Sequence, residues 1–103
     1  ELSNRSNIRS IIALDSNPIK SISAGSKILE ISTPGAHGAI PGQYVTLVDV
    51  DSSIDGIAAS EINERHIISS VPTTTTFRIS VLSSATAGAV TGGGNSVIAS
   101  FEN

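Results

Sequence analysis

Apolar and polar residues alternate along this chain in short blocks, and turn formers separate the blocks. The alternation is cleanest in residues 75–82, where Phe77, Ile79 and Val81 fall on one face and Arg78 and Ser80 on the other. A side-chain period of two marks a strand with one buried face. The same reading gives strands over residues 8–14, 19–23, 27–32, 43–50, 65–71 and 96–101. The 19–23 strand is short and edge-like. In the 43–50 strand Val45 and Leu47 alternate with Tyr44, Thr46 and Val48, so both faces carry apolar groups, as in a doubly buried or barrel strand. Residues 72–74 join the fifth and sixth strands as a hairpin. Residues 57–64 alone fall outside the pattern. Ser60 to Asn63 reads as one helical turn or a structured loop, because eight residues with a β-branched centre do not sustain a helix.

The punctuation is Asn17-Pro18, Ala24-Gly25-Ser26, Pro34-Gly35, Pro41-Gly42, Asp55-Gly56, Pro72 and Gly92-Gly93-Gly94. Each is a turn or loop signal. Six to seven mainly antiparallel strands at this spacing predict an all-β domain, a small β-sandwich or open β-barrel. Its expected core is Ile12, Leu29, Ile31, Val45, Leu47, Ile67, Val71, Phe77, Ile79, Val81, Val97 and Phe101. Residues 1–103 read as a single domain, with 1–16 a lead-in strand and 17–103 the core module. Residues 85–95 are small and read as a mobile loop.

Composition narrows the class. Ile and Val total 22 of 103 residues, too many for a disordered chain, while Ser and Thr total 26. No apolar run reaches the length of a membrane helix. Cys is absent, which excludes disulfides and thiolate metal sites. A net charge of −3 with six scattered basic residues argues against nucleic acid as a partner. Met is absent, even at position 1, so the chain reads as a module excised from a longer protein or as a processed product.

Candidate chemistry is sparse. The segment Asp49-Val50-Asp51-Ser52-Ser53-Ile54-Asp55-Gly56 places Asp49, Asp51 and Asp55 where a calcium loop would place oxygens. Ile54 stands where that loop needs its glycine, however, and Ser60 where it needs a bidentate Glu. The favoured reading is a solvated loop turning at Asp55-Gly56, with no metal or other cofactor. His37 lies between glycines and is expected as a turn residue whose ring bonds to backbone; His66 opens a strand. No nucleophile elbow or Ser-Lys signature is present, so no catalytic residue is assigned. Gly92-Gly93-Gly94 lacks the Lys and the helix of a phosphate loop, and is expected as a flexible turn. Asn4-Arg5-Ser6 matches a glycosylation sequon. Aromatics number three, and Tyr44 is the one expected at the surface.

From Asn17-Pro18-Ile19 to Phe101 the chain resembles a β-rich module of tailed-bacteriophage virion proteins. The matching features, in order, are Asn17-Pro18-Ile19, Gly25-Ser26, Ala36-His37-Gly38-Ala39, Pro41-Gly42-Gln43-Tyr44-Val45, Gly56-Ile57, Glu61-Ile62-Asn63, His66-Ile67-Ile68, Thr76-Phe77-Arg78-Ile79, Ala85-Thr86 and the triple glycine. Such modules occur in tail fibres and as insertions in podovirus tail nozzle or head-to-tail stabilisation proteins. Asn7-Ile8-Arg9-Ser10 is similar to a strand leading into such an insertion. Gln43 and Pro72-Thr73-Thr74 depart from the family's turn chemistry. The resemblance implies a non-enzymatic structural role in the virion, with assembly in the host cytoplasm and other tail subunits as partners in a homo-oligomeric assembly. The absence of Cys fits such a compartment. Contacts are expected from loops 34–41, 49–60 and 85–95, with Tyr44, Ile54 and Asp55 as binding residues. The alternative is a host-surface glycan-binding adhesin, assisted by calcium at Asp49, Asp51 and Asp55.

Overall fold

The computed structural model describes residues 8–102. The Asn4-Arg5-Ser6 sequon and Asn7 lie outside the described residues. Among the described residues, eight strands and one helical turn follow in order: β1 (Ile8–Ala13), β2 (Ile19–Ser21), β3 (Ile28–Ser32), β4 (Tyr44–Val48), α1 (Ala59–Ile62), β5 (Arg65–Thr73), β6 (Thr76–Ser80), β7 (Thr91–Gly92) and β8 (Ile98–Glu102). They form one sheet in the order β1-β8-β4-β5-β6-β3-β2-β7, with every pairing antiparallel. The sheet curls into a half-barrel, as the alternating pattern anticipates.

The curl is made at β5. Its start pairs with β4 (Tyr44↔Ile67, Thr46↔Arg65) and its end pairs with β6 (Ile68↔Ile79, Thr73↔Thr76). Two register irregularities lie between Ile68 and Thr73. Irregularities of this kind bend a strand and increase its twist. Pro72 sits in this stretch, where its missing N–H disturbs the ladder least. The 72–74 hairpin is present, closing between Thr73 and Thr76.

The interior takes one face of each strand. Leu29, Ile31, Val45, Leu47, Phe77, Ile79, Ala99 and Phe101 are fully buried. Phe77 on β6 meets Phe101 on β8 edge to face, with ring centroids 5.3 Å apart. These two rings join the opposed halves of the curl, and such pairs add to ordinary area burial. Ile12 and Val71 are partly buried and pack against this core.

Two expectations are corrected. Ile67, expected inside, is 51% exposed, and Ile68 is fully buried in its place. Counting back from Val71 in steps of two puts Ile67 inward. The irregularity between Ile68 and Ser70 breaks that count, so Val71 and Ile68 both reach the core. β2 is not an edge: β7 pairs along its outer side (Ile19↔Gly92, Lys20↔Thr91). A two-residue strand containing glycine carries no readable periodicity, so β7 left no signal in the sequence.

Candidate functional site

The three loops expected to carry contacts are tied to the frame by side chains. Asp55 and Gly56 have φ of 50° and 85°, and Ile54 and Ile57 exchange backbone hydrogen bonds of 2.9 and 2.8 Å across them. This is the tight turn that Asp-Gly favours. The turn buries Ile54 at 2% exposure and Ile57 completely. Ile54, expected as an apolar anchor for a partner, is therefore a core residue. The turn aims the Asp55 carboxylate at the 85–95 loop. One oxygen accepts the Ala87 N–H at 2.9 Å; the other accepts the Gly88 N–H at 2.7 Å and the Ser21 hydroxyl at 2.8 Å. Buried Ser21 accepts the Val90 N–H in turn, at 3.0 Å. Asp55 is thus a staple between two loops and β2. Its oxygens are already occupied by protein donors, which leaves a ligand little to bind.

Asp49 and Asp51 do not join it. Among the described residues, no group of three His, Cys, Asp or Glu side chains converges as metal ligands would. The glycine run, expected as a flexible turn, is also fastened. Gly93 accepts the Asp51 N–H at 3.2 Å, and the Gly94 N–H donates to the Asn17 side chain at 3.0 Å. Asn63 spans residue 50, accepting its N–H at 2.9 Å and donating to its carbonyl at 3.0 Å.

The Gly88 N–H, followed by the Ser21 hydroxyl and the Ala87 N–H, holds the Asp55 carboxyl below its ordinary range against an opposing effect of burial. Ser83 does the same for Glu61, through its hydroxyl and its N–H. Arg65 does so for Glu102. A carboxylate favoured in its ionised form by the fold stabilises that fold fully above its unfolded-state pKa, near 4. The contribution disappears as pH falls through the lowered native value. Urea midpoints should therefore fall between about pH 5 and pH 2. Asp55→Asn should be less stable than the parent at pH 7 and should show a shallower acid loss. An equal acid slope in the two proteins would contradict this role for Asp55.

Both imidazoles are buried and structural. The Ala39 N–H donates to Nδ1 of His37 at 2.9 Å, so the ring hydrogen lies on Nε2. Nε2 donates to the Thr76 carbonyl at 2.8 Å, with the Thr73 carbonyl at 3.2 Å. The ring also meets Phe77 edge-on at 5.7 Å and lies over Phe101 at 6.2 Å. His37 thereby fixes loop 34–41 to the β5–β6 hairpin, as its place between glycines led one to expect. Arg9 reinforces the loop by donating to the His37 carbonyl at 2.9 Å, its guanidinium 5.4 Å from the Phe101 ring centre. Nε2 of His66 bonds to the Ile62 carbonyl at 2.8 Å.

The outward face of β4, β5 and β8 is built differently. Tyr44 lies beside Ile67 in register. The Arg65 guanidinium sits 3.7 Å from the centre of the Tyr44 ring and reaches Glu102 through two hydrogen bonds, of 2.8 and 3.0 Å. The bidentate geometry orients the guanidinium, and the aromatic face beneath it is attractive to a cation. Tyr44 is thus a half-buried surface residue whose ring face is covered by an arginine. Arg65 also lines a groove of about 450 Å³, together with Glu61, Glu64, Ile67, Val81 and Leu82. Leu82 is 80% exposed. Arg65 and Glu102 lie 37 positions apart and carry no motif. Only the strand register brings them together, so sequence reading gave no sign of the pair.

No protein-family model matches this chain, and no curated protein is significantly similar to it. Eleven chains of solved structures match this chain. One is the phage phi92 endosialidase, with a TM-score of 0.66 at 18% identity over 89% of this chain. This chain spans 12% of the endosialidase's length. Another is the tailspike protein gp49 of Pseudomonas phage LKA1, with a TM-score of 0.42 at 24% identity, covering 89% of this chain and 14% of that one. The endosialidase likeness establishes a shared all-β fold.

Proposed function

We infer that the chain is a structural β module of a bacteriophage tail protein, packing against neighbouring virion subunits or decorating the tail surface. The observation that carries this reading is the recurrence of the fold, over 89% of this chain, as a 12% portion of a phage enzyme. A small domain reused within a much larger chain is an accessory building block. A non-enzymatic role is supported by the two imidazoles, whose hydrogen bonds go to backbone groups. The reading includes the expectation that the module is an insertion within a longer tail protein. The contact patch is the outward face around Tyr44, Arg65, Ile67 and Leu82, where aromatic, arginine and exposed apolar groups meet. Localisation is then the virion, after assembly in the host cytoplasm.

Glycan binding is the weaker reading, because sugars stack on an open ring face and Arg65 covers that of Tyr44. The test is mass spectrometry of tails separated from heads, in particles from cultures that produce the parent protein. Peptides of this chain should co-purify with tails, and Ile67→Lys should lower their amount while leaving the melting temperature within a few degrees. Peptides found only in the unassembled fraction would overturn the reading. So would saturable, calcium-dependent binding of the chain on a glycan array.

A further inference from the structure

We propose that β1 is the self-association edge of this domain, pairing antiparallel with β1 of a second copy to continue the sheet across a two-fold axis. The inference is independent of the phage reading. It begins from the two ends of the sheet, which are β1 and β7. Soluble β proteins blunt such edges by shortness, charge, proline or bulges, because a row of unpaired N–H and C=O groups is a template for another strand. β7 is blunted by being two residues long. β1 has six residues, Ile8–Ala13, and among the described residues no strand pairs on its outer side.

The charge that could guard β1 is turned away from its open stretch. A register irregularity between Ile8 and Ser10 displaces Arg9, whose side chain folds over Phe101 to the His37 carbonyl. Ser10-Ile11-Ile12-Ala13 is left uncharged, with Ile11 65% exposed. The Leu14 N–H donates to the Val97 carbonyl at 2.9 Å and Ile12 pairs with Ala99. By antiparallel alternation Ile12 and Leu14 turn their backbone groups toward β8, and Ile11 and Ala13 turn theirs outward.

A second copy fits these groups in one register. With Ile12 opposite Ile12, Ile11 of each copy faces Ala13 of the other, and the outward N–H and C=O groups of both residues are matched. Residues 10–13 carry no charge, so this register brings no like charges opposite each other within the paired stretch. Opposite charges in cross-strand positions are favourable, and like charges there are not. A head-to-tail arrangement would have to join β1 to β7, whose two residues are too few to match it. The two-fold, self-complementary arrangement is therefore the one that uses the edge.

Sedimentation equilibrium of the 103-residue chain across micromolar to millimolar concentration tests this. A monomer–dimer equilibrium is expected. Ile11→Lys with Ala13→Lys places like charges opposite each other twice and should weaken the dimer about tenfold or more. Ile11→Lys with Ala13→Glu places opposite charges there instead and should restore it. Leu82→Lys, at an exposed apolar residue away from β1, should leave it unchanged. Circular dichroism melts establish that all variants are folded. A chain monomeric throughout would overturn the proposal, as would a dimer insensitive to both β1 pairs or one that Leu82→Lys disrupts equally. A dimer lost equally in the Lys/Lys and Lys/Glu variants would overturn the register.

Discussion

Phe101→Ala should lower stability by about 4 kcal/mol, the range for truncating a buried phenylalanine. Phe101 is fully buried on β8, the strand that pairs with both β1 and β4. Its ring lies edge to face with Phe77, under His37 and beside the Arg9 guanidinium. Truncation removes the contact that joins the two halves of the curl and opens a void no neighbour can fill without moving the sheet. A domain of this size has about 5–15 kcal/mol of total stability. The melting temperature should therefore drop by roughly 20 °C. Phe77→Ala should be comparable, and the double variant should lose less than the sum, because both remove the same ring pair. Calorimetry of the four proteins measures the coupling. Strict additivity would mean that the rings do not act as a unit.

Ile68→Ala should lower stability by about 3 kcal/mol, and Ile67→Ala by less than about 1 kcal/mol. The residues are adjacent and chemically identical, so composition and propensity predict equal effects. Burial predicts the difference: Ile68 is fully enclosed and Ile67 is 51% exposed beside Tyr44. Urea midpoints at neutral pH settle it. The reverse order would put the sheet register at β5 off by one residue, flipping that strand's faces.

That pair also marks how far the sequence is legible. Where alternation is unbroken, as at Phe77, Ile79 and Val81, both the strand and its inward face were readable. β3 was equally plain, through Leu29 and Ile31, whereas β4 read as apolar on both faces although only Val45 and Leu47 are fully buried. Alternation fails at β5, where a bulge is a property of two paired strands and leaves no mark on one. The surface features were read in part. Tyr44 was placed outside, and His37 was placed on backbone groups. Ile54 was misplaced because an acidic loop looks solvated, whereas Asp55-Gly56 folds that loop back and buries the isoleucine. Asp55 reads as a ligand by residue type. Its N–H donors come from Ala87 and Gly88, more than thirty residues away, so its stapling role appears only once the chain is folded.

The central place of β8 also orders how the protein is made. β8 supplies the hydrogen bonds that hold β1 and one side of β4, yet among the described residues it follows every other strand in the chain. During translation β2, β3, β5, β6 and β7 have their partners once residue 92 has emerged, whereas β1 must wait for residues 98–102. Closing so long a segment is entropically costly and slow. Until β8 emerges, β1 and one hydrogen-bonding edge of β4 stay open, so β1 is paired only after the other described strands.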